Sequence, residues 1–340
     1  MKSLIRTFQH AGRRAFALGV TATAVALATT AAPTIAQAQV KLDLAAAYAP
    51  ANFHTENLVI FANEVDKATA GKVKITVHAN ASLFKATEIK NAVRGNQAAM
   101  GEILISNFEN EWAMWGIDVI PFLADSYDEA QKLYKITKPM MEKKLAEQGM
   151  MLLFTVPWPP QGIYSKKAIN SSADLKGVKW RAYNVGTAEI AKIVGAQAVT
   201  IQAAELSQAL ATGAVESYMS SGSTGYDTKT YEHLKFWYDT QAWLPKNAVI
   251  MNKEAFGKLD KASQDALTKA SLEAENRGWK TSMEKNGWYL AELKKQGMNI
   301  LPPSAQLKTD MKKVGDQLLQ QWLAKAGPEG KQAVDAFLKP

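Results

Sequence analysis

The chain has 340 residues, with 40 Lys and Arg against 32 Asp and Glu, a formal net charge of +8 and no cysteine. The lack of cysteine excludes a disulfide framework, thiol nucleophiles and zinc–thiolate sites. Four of the positive charges, Lys2, Arg6, Arg13 and Arg14, lie at the amino terminus, so the remainder carries only about +4 and has no basic cluster of the kind that binds nucleic acid.

The amino terminus reads as an export signal. No acid precedes Asp43, an Ala/Thr/Val-rich stretch runs from about Ala15 to Ala32, and Ala36-Gln37-Ala38 is a small-x-small cleavage pattern. A signal peptide over residues 1–38 is expected, with the mature chain starting near Gln39. The pair Arg13-Arg14 fits either a twin-arginine signal or an ordinary secretory signal with adjacent arginines. The apolar stretch is short and alanine-rich, whereas a spanning helix needs ~20 strongly apolar residues. The remaining 302 residues exceed what one core usually serves, so two domains are expected.

Strands and helices then alternate. Leu42–Tyr48 is strand-like; Thr55–Ala70 has helical spacing and stops at Gly71; Val73, Ile75 and Val77 alternate with Lys and Thr as a half-exposed strand. A helix from about Lys85 to Arg94 ends at Gly95, and Ala99–Ile105 reads as a buried strand. Ser126 and Glu129 form a capping box for the next helix, another helix ends at Gly149, and Met150–Val156 reads as a strand. The pattern restarts with strand Val178–Ala182, helix Gly186–Val194, strand Gln197–Ile201, helix Ala203–Thr212 and strand Ala214–Tyr218. Gly195 and Gly213 fit the left-handed position just past a helix.

Repeated strand–helix alternation predicts an α/β fold with mainly parallel sheets. The break near Pro157-Trp158-Pro159-Pro160 divides it into two lobes with a cleft between them. Residues 39–157 plus about 245–283 form the first lobe, and 158–244 plus about 284–340 the second. From Ser263 to Gln296 there is no proline and only two glycines, Gly278 and Gly287. One long helix of ~50 Å, able to brace both lobes, is favoured over two helices broken at a glycine, since an isolated glycine costs only about 1 kcal/mol.

Catalytic constellations are missing. His54, His78 and His233 have no metal-ligand spacing, and no HExxH, Walker loop or dinucleotide fingerprint occurs. His78 reads as a surface residue on its alternating strand. Ser221-Gly222-Ser223-Thr224-Gly225 lacks the first glycine of a nucleophile elbow, and Glu109 and Glu111 read as a solvated loop. No metal or cofactor is expected. The balance favours binding over catalysis.

Nine tryptophans are present. Trp279, Trp288 and Trp322 read as helix packing, and Trp112 and Trp115, three apart, as neighbours on one helical face. Trp158 lies at the lobe crossover, and Trp243, in Gln241-Ala242-Trp243-Leu244-Pro245, lies where the chain crosses back; each suits a pocket wall or hinge packing. The segment Asp174–Asn184, DLKGVKWRAYN, places Arg181 at the carboxyl end of an apolar strand, where open α/β sheets gather ligands. A guanidinium there fits a carboxylate with two parallel hydrogen bonds, or pairs with a structural acid such as Asp174 or Glu216.

Four segments together, FANEVDKATAGKVKITVHANASLF, IDVIPFLADSYDEA, LKGVKWRAYN and VGAQAVTIQAAELSQALATGAVES, resemble the DctP-type solute-binding proteins of TRAP transporters along nearly the whole mature chain. The resemblance implies a two-lobed periplasmic binding protein fold, type II-like, with crossing strands and a long helix over both lobes. It implies a monomer in the periplasm, TRAP membrane permease subunits as partners, and an anionic ligand clamped by an arginine that falls on Arg181.

Two positions depart from the family pattern. An asparagine that commonly contacts ligand is Ser220 here, and a second arginine of sialic-acid binders falls at about Gln161, which disfavours a large sugar acid. The expected site comprises Arg181 on the carboxylate, Gln161, Asn184 and Ser220 on other oxygens, and Trp158, Trp243, Tyr218 and Tyr48 as aromatic cover. The leading expectation is an aromatic 2-oxo or 2-hydroxy acid, ahead of a short aliphatic or branched carboxylate. The rivals are a ligand sensor on the same fold and a secreted hydrolase or isomerase.

Overall fold

The computed structural model describes residues 39–339; the expected signal segment lies outside them. Two sheets organise the chain. The first contains β1 (Val40–Ala45), β2 (Val73–His78), β3 (Met100–Leu104), β4 (Met150–Pro157) and a returning strand, Lys246–Asn252. The second contains β5 (Gly162–Ser165), β6 (Lys179–Ala182), β7 (Gln197–Thr200), β8 (Ser217–Ser220), β9 (Phe236–Tyr238) and a late strand, Asn299–Leu301. With the returning strand as β10 and the late strand as β11, the orders are β2-β1-β3-β10-β4 and β11-β9-β5-β8-β6-β7.

Helices flank the sheets: α1 (Phe53–Ala68), α2 (Ile89–Arg94), α3 (Tyr127–Glu147), α4 (Val185–Val194), α5 (Ala203–Ala211), α6 (Gly222–Asp227), α7 (Lys253–Gly257), α8 (Lys261–Lys295) and α9 (Ala305–Leu338), the last broken at Gly327. None of them is long and apolar enough to cross a membrane.

The sheets are mixed rather than mainly parallel. β1 runs parallel to β2 and β3, but β10 is antiparallel to both β3 and β4. In the second sheet β5 is antiparallel to β8 and β9. The reason is the crossing: β10 returns from the other lobe and enters its sheet from the opposite end. The crossing segments form a ribbon, with Trp158 N donating to Pro245 O at 2.8 Å, Gln161 N to Trp243 O at 3.0 Å and Ala242 N to Gln161 O at 2.9 Å. The two lobes are therefore tied by hydrogen-bonded extended chain, a geometry suited to hinge motion.

Local chemistry sets most boundaries. Ser126 Oγ accepts from Glu129 N at 3.3 Å, and the Glu129 carboxylate accepts from Ser126 Oγ at 3.1 Å, closing the expected cap on α3. Gly195 adopts φ 74° and Gly213 φ 68°, the left-handed values that let the chain turn out of a helix. Gly95 does not: its φ is −81°, and Asn96 takes the left-handed position at 54°. α2 is a turn shorter than expected, and β8 begins three residues later than the pattern suggested.

Helix α8 is continuous over 35 residues. Gly287 has open space around it, but Gly278 does not: a Cβ there would lie 2.3 Å from Val156 Cγ2. The glycine lets the helix lie directly on β4 of the first sheet, while Tyr289 and Leu290 further along pack over Gly222 at the start of α6 in the second lobe. Trp322 is buried and donates to Ala113 O at 2.8 Å, whereas Trp288 is 45% exposed and covers Tyr226 and Tyr289 only from outside. Trp112 and Trp115 meet edge-to-face at 4.9 Å, on a 3-10 segment rather than an α-helix.

Of Glu109 and Glu111, only Glu111 is exposed as expected of a solvated loop. Glu109 packs under Gly116 and burial pushes its carboxyl up; Glu111 pairs with the fully buried Lys90. His78 meets Asp43 at 2.7 Å near the surface, and His54 is buried 3.4 Å from Glu102. Ser221 is the N-cap of α6 and accepts from Thr224 N at 3.3 Å.

Candidate functional site

A cavity of about 320 Å³ lies between the lobes. Its wall draws Tyr48 and Leu104 from the first lobe, Trp158 and Pro245 from the crossing, and Gln161, Arg181, Tyr183 and Ser220 from the second lobe. Of the eight residues expected from sequence, the structure brings Tyr48, Trp158, Gln161, Arg181 and Ser220 to this wall. Asn184, Tyr218 and Trp243 are not on it.

Arg181 leaves the end of β6 and is 3% exposed. Its Nε donates to Ile201 O at 2.8 Å, which fixes the plane of the fork. It makes no ion pair to a carboxylate within 4.0 Å among the described residues, where its side chain's hydrogen bond is the one from Nε. Asp174 is engaged by the backbone of Asn170 and Ser171, and Glu216 faces Lys166 at 3.6 Å. The structural-pairing alternative for Arg181 is thereby removed. Burial lowers the guanidinium's affinity for its proton, with the surrounding tyrosines acting in the opposite direction. An arginine stays charged even so, since its ordinary value lies far above neutral pH.

The three residues off the wall support those on it. The guanidinium carbon of Arg181 sits 4.9 Å from the Tyr183 ring centroid and 5.7 Å from that of Tyr218, so Tyr218 steadies the cation from behind. The Tyr218 hydroxyl is bonded to Thr230 Oγ1 at 2.6 Å and stacks on Tyr164. Trp243 Nε1 donates to Tyr183 OH at 3.2 Å, and Tyr183 OH donates to Gln161 Oε1 at 3.4 Å. The hinge tryptophan thus positions Tyr183, which positions Arg181. Asn184 is the N-cap of α4: its Oδ1 accepts from Thr187 N at 2.9 Å, and its Nδ2 donates across the lobes to Ser106 Oγ at 2.8 Å. Helix capping and an interlobe bond use both ends of that amide, which is why it does not reach the cavity.

Sequence reasoning missed Tyr183, although it lies two residues after Arg181, and missed the start of α5. Gln202, Ala203 and Ala204 line the wall, and Gln202 as N-cap makes no side-chain capping bond. The first N–H groups of a helix have no intrahelical acceptor and carry partial positive charge, a second feature favourable to an anion. The only available signal was the loop between β7 and α5, at the carboxyl end of a strand next to β6.

Trp158 Nε1 donates to Asn247 Oδ1 at 2.9 Å, and Tyr48 OH approaches the same oxygen at 3.4 Å; the rings meet edge-on at 4.8 Å. These two aromatics form a rigid apolar wall with their polar ends turned away. Gln161 Nε2 donates to Pro159 O at 2.9 Å and retains one N–H and one lone pair. The Ser220 hydroxyl has no protein partner among the described residues. The cavity therefore offers a forked cation, a helix start, short polar groups and a flat apolar face.

The model of the bacterial extracellular solute-binding protein family 7, DctP, matches residues 44–326. The chain belongs to this family. It is similar to an extracytoplasmic solute receptor of Bordetella pertussis, whose crystal structure is described as binding pyroglutamic acid: 57% identity, TM-score 0.87, covering 88% of this chain and 100% of that one. A marine metagenome TRAP solute-binding protein described as specific for pyroglutamate is 44% identical, with TM-score 0.86 and coverage of 88% and 99%. A solute-binding protein of Albidiferax ferrireducens is 28% identical over 63% of this chain and 65% of that protein. The fold of the family, two lobes of helix-flanked mixed sheet with one long helix, is the fold described above. Small carboxylates are its cargo, and its members are extracytoplasmic receptors for TRAP transport.

Proposed function

We propose that this protein captures a small cyclic monocarboxylate of the pyroglutamate class, a five-membered lactam acid, in the periplasm and delivers it to TRAP permease subunits. The observation that carries the reading is Arg181: a buried guanidinium on a cavity wall with both terminal nitrogens unpartnered among the described residues. A buried charge without a counterion is costly, and a ligand carboxylate relieves that cost with two parallel bonds.

The lactam is favoured over the aromatic acid expected from sequence on two grounds. Two of the four aromatic residues meant to enclose an aromatic ring, Tyr218 and Trp243, are not on the wall. The wall beside Tyr48, Trp158 and Tyr183 also carries the polar groups Gln161, Ser220, Gln202 and Thr224, which suit a ligand with one amide N–H and one amide carbonyl, among apolar residues such as Leu104, Ala203 and Pro245. The relatives at 57% and 44% identity, described as pyroglutamate binders, point the same way. In this reading the chain performs no chemistry; the lobes close over the acid about the crossing ribbon, and the closed form is the one the permease meets.

Titration calorimetry with L-pyroglutamate, mandelate, phenylglyoxylate and succinate tests it. Saturable binding of pyroglutamate, tighter than the others by tenfold or more, is expected. Preference for an aromatic acid overturns the ligand class, and indifference to all four carboxylates overturns the function.

A further inference from the structure

The cavity continues on one flank into an annex of about 100 Å³ that shares Tyr48, Trp158 and Thr224 with it and ends at Asn52 and Asp227. Asn52 belongs to the first lobe, in the loop before α1; Asp227 closes α6 in the second. Asn52 Nδ2 donates to Asp227 Oδ2 at 2.6 Å, between residues 175 apart in sequence. The Asn52 amide cannot turn freely, because its Oδ1 caps α1 by accepting from His54 N at 2.9 Å. Ser223 Oγ reaches the same carboxylate oxygen at 3.5 Å.

The surroundings of Asp227 are mixed in charge. Glu56 faces it from α1, Lys285 and Tyr289 from α8, and Tyr164 from β5. Glu56 and Lys285 meet each other at 3.3 Å, so their effects on Asp227 oppose one another.

We propose that Asn52 and Asp227 form a latch that holds the lobes together over bound solute, and that Asp227 takes up a proton as the latch closes. This rests on the cavity being the solute site. Both are positioning residues: they act on the lobes rather than on the solute. With the lobes parted, the carboxyl faces the water of the cleft; with them together it is covered by Asn52 and the annex. Burial pushes it up to about 6, against the pull of Asn52, Ser223 and Lys285. The closed state then binds the proton more tightly than the open one, so closure is favoured as pH falls through about 6. With an ordinary aspartate value of about 3.9 in the open cleft, closure is about tenfold more favourable at pH 5 than at pH 7. A ligand carboxylate, with an ordinary value near 3.5, stays ionised across that range.

The experiment compares the native chain with Asp227→Asn, which keeps an acceptor for Asn52 but cannot titrate, and Asp227→Ala, which removes the latch. Calorimetric affinity for L-pyroglutamate should tighten about tenfold from pH 7 to pH 5 in the native chain. It should be level with pH in Asp227→Asn and several-fold weaker than native at pH 7 in Asp227→Ala. Spin labels at Ile60→Cys in α1 and Val199→Cys in β7, both exposed and in a chain without cysteine, read the lobe separation with no solute added. The distance should shorten at pH 5 only where Asp227 is intact. A native chain whose affinity and lobe distance ignore pH, or an Asp227→Asn variant that keeps the native pH profile, overturns the proton uptake. An Asp227→Ala variant as tight as native overturns the latch. If pyroglutamate does not bind at all, the ligand reading fails, and the label distances still decide the latch.

Discussion

Arg181 and Lys246 are both buried cations, 3% and 2% exposed, and they differ in what faces them. Lys246, at the start of β10, has Asp118 3.2 Å from its Nζ, and the same carboxylate accepts its backbone N–H at 2.9 Å. Arg181 has a backbone carbonyl on one nitrogen, two tyrosine faces and a cavity. The paired cation joins the crossing strand to the 3-10 segment Ala113–Val119: its charge is met by Asp118, although its Nζ makes no well-formed hydrogen bond among the described residues. The unpaired one is held equally still but keeps its fork open. The contrast is between a charge with a counterion and one without any among the described residues: burial is common to both, and in the proposed reading the missing counterion is what the solute supplies.

Substitution can break or sharpen that contrast. The largest effect is expected for Lys246→Met, which strands Asp118 in a buried position where burial already pushes its carboxyl up; chemical denaturation should show a loss of about 3–5 kcal/mol. Arg181→Ala should cost about 3 kcal/mol in calorimetric affinity for the solute, roughly a hundredfold, with no loss of unfolding stability without ligand. Arg181→Lys should recover only part of that affinity, since a point charge does not reproduce the fork. If Arg181→Ala instead unfolds as readily as Lys246→Met, Arg181 is structural and the contrast fails.

Gly278→Ala should lower stability by about 1–3 kcal/mol, because its Cβ meets Val156 and α8 must lift from β4; a thermal melt measures it. The smallest change is Tyr183→Phe. It removes the hydroxyl that joins Trp243 to Gln161 and leaves the ring under Arg181, so affinity should fall by about 1 kcal/mol while stability moves little. An unchanged affinity there would show that the tryptophan–tyrosine relay does not position the arginine.

Much of the scaffold was legible because local rules carry it. The helix cap at Ser126, the left-handed glycines at 195 and 213 and the alternation through Val73, Ile75 and Val77 each depend on residues within a few positions. Arg181 was legible for the same reason: one cation at the end of an apolar strand, in a segment of recognisable pattern. Strand direction was less so. β10 has the composition of any buried strand, and its antiparallel setting follows from the chain's return between lobes, which no local window contains.

The sequence by itself determined the alternating elements, the length of α8, the crossing near Trp158 and the cation at the end of β6, because period, punctuation and residue type act locally. Tertiary structure alone decided which neighbours of Arg181 reach the cavity. Asn184 and Trp243 were equally plausible wall residues until capping, the Ser106 bond and the Tyr183 hydroxyl claimed their polar ends. Partnership of a polar side chain is settled by groups far away in sequence, as the bond between Asn52 and Asp227 also shows. A side chain has a limited number of bonds to make, and the fold assigns them first.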